Sequence, residues 1–524
     1  MKTQDERQPV YTLTGTCHGP HCCATNAMPS TDLPLDASPT IETFSLRYSE
    51  GSKIDVRGST SARAGLVYAM TKEGWKAIAD VQSNGTFSNP DMPESYLTAH
   101  NTLTIRVEHN GTSHPVTATN RFVHSRSLAI PPTATKPQDQ QFYQWRLQWA
   151  DYQPTGYWIP AQTRVPIWLE GDDQQVTAYI GTQGLAEAND RSRQTENMRA
   201  MVLKRGENLL PLDPGGALHI SNNGRSECRV IIGPEAIPLA LYRLGSSALV
   251  DWENMIELSP YNLPVQFVGD RVAITCYTDT YKRYGVADPE EIVRSHEEVL
   301  RIEVHAAGLD GSAPIHTRSN LWIHAVEAAS SLPPHATTGY IGLPHGSNPG
   351  HEYMDALVGG VAHNRWVTLH EYGHHFQNRT NSVAPQFDEN TVNIYALAVH
   401  RLHRNDYTDE FPKRWPALQA WLARPRTQKN YMESPDTQAI FEQLRLEFGS
   451  DYLLNWDRYA RENPSPNNDL TNFAISLSRV AGRNLANFFA DWGVIREHDA
   501  VWQALHALNL PDAPDTLTRR VPYT

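Results

Sequence analysis

Alternation of apolar and polar residues organises the chain up to about residue 280, and helical spacing organises it afterwards. The stretches "IETFSLRYS", "KIDVRGS", "AGLVYAMT", "LTIRVEHNG" and "HPVTATNRFVH" alternate the two classes, with Ser-Asn-Gly and His-Asn-Gly turn signals between strand-like runs. Successive side chains of a strand point to opposite faces, so a period of two buries one face and wets the other. Short strands of this kind predict an immunoglobulin-like β-sandwich domain over residues 41–128. Asn84-Gly85-Thr86 and Asn110-Gly111-Thr112 also fit a glycosylation acceptor, but Asn-Gly at a hairpin turn explains both more simply. Residues 1–40 are rich in Pro, Thr and Ser without a period and are expected to be a flexible segment. "LAIPPTATKPQDQQ" predicts a linker over residues 129–141.

Strand-like runs return in "TGYWIPAQTRVPIWLEGD", "QVTAYIGTQ", "GALHISN", "CRVIIG", "PVQFVG" and "VAITCYT", predicting a second β-rich domain over 142–280. From "DPEEIVRSHEEVLRIEVHAAG" the spacing becomes helical. "TQAIFEQLRLEFGSDYLLNWDRYARE", "NFAISLSRVAGRNLANFFADWG" and "AVWQALHALNL" carry apolar residues on one helix face, so residues 281–524 are expected to form a mainly helical domain. The fold class this predicts is multidomain α+β, and a chain of 524 residues is long enough for several cores.

Composition narrows the function. Hydrophobic residues make up 40% and charged residues 20%, a globular balance. The net charge of −13 and pI of about 5.9 argue against nucleic acid as partner, since phosphate binding needs a basic surface. No apolar run reaches the roughly 20 residues of a membrane span, and no secretory signal is visible in "MKTQDERQPVYTLTG". Three of five cysteines, Cys17, Cys22 and Cys23, sit in "CHGPHCC" beside His18 and His21, at a spacing that matches no zinc pattern. Cys228 and Cys276 could pair or remain small core residues.

The chemistry concentrates in "VTLHEYGHHFQN", residues 367–378. His370, Glu371 and His374 form H-E-x-x-H on a segment read as a helix, with Asn364 as a candidate N-cap. Residues four apart share one helix face, so two imidazoles can hold one Zn²⁺ while Glu371 takes a proton from water on the metal. Gly373 would permit close backbone packing. His375 lies about 140° further round than His370 and cannot share its face. "HEYMD", residues 351–355, starts alike but has Asp355 in place of the second histidine, and reads as a loop. A catalytic zinc needs a third protein ligand. No histidine follows at the metzincin spacing, so a downstream carboxylate is required. "APQFDENTVNIYALAVHRLH" offers Asp388 and Glu389 before a helical run, and local spacing does not choose between them.

"RWVTLHEYGHHFQN" followed by "DENTVNIYALAV" resembles the enhancin-type, mucin-degrading zinc metallopeptidases, peptidase family M60, whose motif is H-E-x-G-H-x-x-Q with a later Glu. Gly373 and Gln377 match that motif, and Thr391, Asn393 and Ile394 put Glu389 at the third ligand position. The resemblance extends over roughly residues 150–511 through "PTGYWIPAQTRVPIWLEGD", "GGALHISN", "LEFGSDYLLNWDRYARE" and "AGRNLANFFADWGV". It departs at His375 and in the wording of "ENTVN", which leaves the ligands intact. It implies a gluzincin-like catalytic domain, one zinc held by His370, His374 and Glu389, Glu371 as catalytic base, and O-glycosylated or mucin-like protein substrates. It also implies a secreted or cell-surface location.

Gln377 and Asn393 are expected to hydrogen-bond ligands. Tyr395, His400 and Tyr340 are candidate oxyanion donors, and Trp366, Tyr340 and Tyr395 candidate substrate contacts. Trp145, Trp149, Tyr157, Trp158, Trp168 and Trp366 could stack on sugars, although core packing accounts for most such rings. "HATTGYIGLPHG", residues 335–346, could supply a strand for an extended substrate. Two rival readings stand beside the glycopeptidase: a broad-specificity zinc peptidase indifferent to glycans, and a glycan- or surface-binding protein with a vestigial zinc site.

Overall fold

The computed structural model describes residues 39–48, 53–97, 102–109, 116–121, 126–171, 175–233, 235–346, 353–380, 387–404, 410–465 and 469–523. Cys17, Cys22, Cys23, His351 and Glu352 lie outside them. The chain is α+β. Two antiparallel sheets form the first sandwich: Ile41–Tyr48, Lys53–Thr60 and Thr86–Pro93 in one, and Gly74–Asp80, Leu66–Thr71, Thr102–Glu108 and Val116–Arg121 in the other. Ile54, Val56, Val67, Ala69, Leu103, Ile105 and Val107 fill the space between them, the every-second positions that the alternation marked.

A second pair of antiparallel sheets follows. Gly206–Leu209, Pro166–Glu170, Cys228–Ile232 and Ser127–Ile130 make a four-stranded sheet; Arg199–Val202, Val176–Ile180, Gly216–Asn222, Tyr152–Ile159 and Ile237–Pro238 make a five-stranded one. Cys228 is a free thiol in the core they share, and Cys276 is free and buried further on. Residues 129–141 do not form the expected linker. Ser127–Ile130 is a strand, and Lys136–Tyr143 is a helix started by a Thr135–Gln138 capping box. Pro137 lies in that helix's first turn, where a missing N–H costs nothing, so the proline that read as punctuation belongs to a helix start.

A six-stranded mixed sheet then supports the helices. Its order is Leu241–Arg243, Pro264–Val268, Val272–Tyr277, Ile323–Ala328, Tyr340–Pro344 and His335–Thr337. Val272–Tyr277 pairs with Ile323–Ala328 in parallel, so the boundary expected at residue 280 falls inside this sheet. Ile323–Ala328 gave no signal because all six residues are buried, and a strand covered on both faces shows no alternation. One face of the sheet packs through Phe267, Ile274, Ala325 and Leu343 against helices that include Pro289–Ala306. The remaining C-terminal helices, among them Ala439–Phe448, Tyr452–Glu462 and Leu470–Ala481, close around a separate core with Trp456, Phe473, Phe489 and Trp492 at its centre. "HEYMD" is not a loop throughout, since Tyr353–Val358 is helical.

Candidate active site

The motif lies on a helix, Trp366–Gly373, with His374 as its C-cap. Arg365, not Asn364, is the N-cap residue and makes no side-chain cap; Asn364 ends the preceding 3₁₀ turn. Burial holds this helix instead. Leu369, Tyr372 and Phe376 are fully buried in the sheet-facing core, at the three- and four-residue steps of one stripe. Gly373 permits the decisive approach. A Cβ there would lie 2.8 Å from the Val392 carbonyl oxygen and 2.9 Å from Val392 Cγ2. The chain around Val392 therefore touches the motif helix, and this brings Glu389, on the short helix Asp388–Thr391, to the histidines.

His370, His374 and Glu389 offer ligand atoms all within 4.8 Å of one another. Glu389 Oε2 is 3.1 Å from His370 Nε2 and 3.4 Å from His374 Nε2. The far nitrogens are fixed. Asn393 Nδ2 donates to the Glu389 carbonyl (3.0 Å), so its Oδ1 is the atom that accepts from His370 Nδ1 (2.9 Å). Gln377 Nε2 donates to the Asp388 carbonyl (2.6 Å) and Thr391 Oγ1 (2.7 Å), so its Oε1 accepts from His374 Nδ1 (2.8 Å). Both imidazoles thus carry their Nδ1 hydrogens and turn Nε2 lone pairs to one carboxylate oxygen. Two lone pairs and an anionic oxygen can share that space only around a proton or a cation. The donor set of two imidazoles and a carboxylate fits a divalent metal with an open position.

The electrostatics agree. Burial opposes charge on His370, but Glu389, Glu371 and Asn393 together outweigh it and hold its pKa above the ordinary value. With protons rather than a cation between them, hydrogen bonds from the protonated Nε2 atoms of His370 and His374 hold the Glu389 carboxyl far below the usual carboxylate range. Burial pushes the Glu371 carboxyl up, against the pull of the two histidines. The motif helix therefore carries a carboxyl whose pKa is raised by burial beside a histidine whose pKa is raised by its carboxylate neighbours. His375 is fully buried; among the described residues its ring nitrogens have no hydrogen-bond partner, and burial pushes its pKa down to about 3. It is a core neighbour of the site.

Other candidates are placed elsewhere. Tyr395 is fully buried, and its hydroxyl donates to Asp457 Oδ2 at 2.9 Å, so it serves the core rather than a substrate. Tyr340 is buried on its strand, its hydroxyl 3.3 Å from Gln194 Nε2 and 3.4 Å from His335 Nε2. Trp366, half-buried at the start of the motif helix, packs on Phe411 and His400. Trp145, Trp149 and Tyr157 are core rings. Trp168 differs: it lines a cavity of about 770 Å³ with Lys53, Glu170 and Arg205. Sequence reasoning missed Arg146, whose guanidinium donates to Gln377 Oε1 at 3.0 Å and pairs with Asp388. Arg146 and Gln377 are 231 positions apart in the sequence, so no local spacing could reveal the bond.

An antiparallel strand at the edge of a mixed sheet, an H-E-x-x-H helix running past it and a glutamate on the next helix are the parts of a metallopeptidase. Residues 235–493 match the family described as peptidase M60, enhancin and enhancin-like, and residues 133–231 match the N-terminal domain of M60-like peptidases. The chain belongs to this M60 metallopeptidase family. No curated protein matches it. Among solved structures, a conserved protein of unknown function from Bacillus anthracis str. Ames is 26% identical with a TM-score of 0.65, over 75% of this chain and 80% of that one. The M60 catalytic domain of Clostridium perfringens ZmpC, in complex with the sialyl T antigen, is 18% identical with a TM-score of 0.58, over 75% and 81%. A metallopeptidase in complex with Tn antigen is 15% identical with a TM-score of 0.59, over 75% and 79%. Among the described residues no helix is long and apolar enough to cross a membrane.

Proposed function

We propose that this chain is a zinc-dependent endopeptidase that cleaves O-glycosylated, mucin-like proteins. His370, His374 and Glu389 hold the ion and Glu371 is the catalytic base. The observation that carries this reading is the convergence of two Nε2 lone pairs and Glu389 Oε2 on one point, within the same helix turn as Glu371. A zinc ion bound there supplies a Lewis acid that activates water and polarises the scissile carbonyl. Asn393 and Gln377 hold the imidazoles in the ligand tautomer. Glu371, its pKa raised by burial, takes the proton of the attacking water and hands it to the leaving amine. Among the described residues His335–Thr337 is the outermost strand of the six-stranded sheet, and its outer edge can pair with an extended peptide that crosses the motif helix.

The glycan part of the reading draws on two observations. Two structural neighbours were solved in complex with the sialyl T antigen and with Tn antigen. In this chain Trp168 and Glu170 share the outer face of their strand, and the cavity they line also takes Lys53 from the first sandwich and Arg205. An aromatic face with charged and hydrogen-bonding groups around it suits a sugar ring. The sandwich of residues 41–128 would then be a module that helps hold the glycoprotein, and the substrate implies a secreted or cell-surface setting. The test is one O-glycopeptide and its deglycosylated twin, digested side by side. Cleavage of the glycosylated form alone is expected; equal cleavage of both leaves a peptidase without glycan dependence.

A further inference from the structure

We propose that Arg146, outside the motif region, is a positioning residue of the metal site, and that residues 144–149 are part of that site's frame. This rests on the reading of His374 as a metal ligand. Residues 144–149 follow the helix Lys136–Tyr143 and lie within the stretch that matches the N-terminal domain of the family, whereas the ligands lie in the peptidase stretch.

The two stretches are laced together just past the motif. Arg379 N–H donates to the Gln144 carbonyl (2.8 Å), Arg146 N–H to the Gln377 carbonyl (2.8 Å), and Trp149 Nε1–H to the His375 carbonyl (3.0 Å). Trp145 bridges to Asn378 as an antiparallel pair, and the Trp145 and Trp149 rings meet Phe376 edge-on at 6.2 and 5.4 Å between centroids. The backbone of residues 375–379, which carries Gln377, is therefore held from two sides: His375 and Phe376 N–H still donate to the Tyr372 and Gly373 carbonyls of the motif helix, and residues 144–149 hold it beyond that point.

The Arg146 side chain then acts on the ligands from both sides. Nη1 donates to Gln377 Oε1 at 3.0 Å, the same oxygen that accepts from His374 Nδ1 at 2.8 Å. Nη2 pairs with the Asp388 carboxylate, one residue before Glu389. The Asp388 carbonyl in turn receives Gln377 Nε2 at 2.6 Å. One planar fork thus sets the carboxamide that orients His374 and the helix start that carries Glu389. A guanidinium does both with donors fixed in one plane; an ammonium has donors enough but no fixed fork to set the two partners relative to each other. Asp388, the rival of Glu389 in the sequence, acts here as the counter-charge that seats the fork.

The test is zinc affinity, measured by competition with a chelating dye, in Arg146→Met, Arg146→Lys, His374→Ala and wild-type protein. The Co²⁺ absorption spectrum and the unfolding midpoint in chelator are read alongside. Arg146→Met is expected to weaken zinc binding by about 10- to 100-fold and to shift the Co²⁺ bands. Arg146→Lys, which keeps the charge for Asp388 but not the fork, is expected to fall between Met and wild type. Zinc affinity within twofold of wild type in Arg146→Met overturns the proposal. Should that variant fail to fold, an unaltered affinity in Arg146→Lys overturns it equally. Stoichiometric zinc retained at full affinity by His374→Ala would instead refute the ligand reading beneath it.

Discussion

Gly373 separates two things that a metal site usually confounds, stability and ligand geometry. In Gly373→Ala the new Cβ would sit 2.8 Å from the Val392 carbonyl oxygen and 2.9 Å from Val392 Cγ2, with Tyr395 Cβ at 3.6 Å. Ordinary contact begins at 3.4 Å, so the helices must part by about 0.6 Å at the oxygen. That oxygen belongs to backbone three residues after Glu389 and cannot rotate away. Overpacking of this kind costs about 1–3 kcal/mol, while alanine recovers up to about 1 kcal/mol of helix propensity over glycine. The net loss of stability is therefore modest, about 0–2 kcal/mol. Metal ligands tolerate only about 0.2 Å of misplacement, so a shift of 0.6 Å between the histidines and Glu389 exceeds the tolerance severalfold. Zinc affinity should fall at least tenfold, worth about 1.4 kcal/mol. Urea unfolding in chelator gives the first quantity and dye competition the second. A variant that binds zinc within twofold of wild type would refute the reasoning, whatever its stability.

Tyr395→Phe removes the 2.9 Å bond to buried Asp457, so it should lower stability by about 1–3 kcal/mol while kcat on a cleaved peptide stays unchanged; a large loss of kcat with the fold intact would return Tyr395 to the chemistry. His219, His296 and His324 are fully buried, and burial pushes their pKa values down from 6.5 to about 4, 4 and 3. The unfolded chain takes up these protons below about pH 6.5, whereas the folded chain does so only near pH 4 or 3. Their stability contribution is complete above pH 6.5 and is lost as pH falls, by about 1.4 kcal/mol per pH unit for each histidine. Unfolding midpoints between pH 7 and pH 4.5 should drop steeply, and less steeply in His219→Phe; equal slopes would contradict the assignment.

The readable part of the molecule was local. Alternation along Lys53–Thr60 and Thr102–Glu108 announced the first sandwich because each strand has one wet face. The five-residue H-E-x-G-H core carried its own geometry, down to the close packing at Gly373. Glu389 was different: nothing in "DEN" separates two adjacent carboxylates, and only resemblance to a family chose between them. The structure supplies the physical reason, since Asp388 is engaged by Arg146 while Glu389 faces the imidazoles. Ile323–Ala328 was illegible because burial on both faces erases its period. Arg146 was illegible for another reason, since a contact across 231 residues leaves no trace in one sequence. Tyr340 and Tyr395 are candidate oxyanion donors and substrate contacts by residue type, but their hydroxyls are committed to Gln194, His335 and Asp457.

The central claim is that zinc held by His370, His374 and Glu389 works with Glu371 as base to cut a glycoprotein chain. The most direct measurement is mass spectrometry of an O-glycoprotein incubated with zinc-loaded wild-type protein and with zinc-loaded Glu371→Gln at equal metal content. The account predicts glycopeptide fragments from the first and intact substrate from the second. Fragments released at the same rate by both, or by neither, would contradict it.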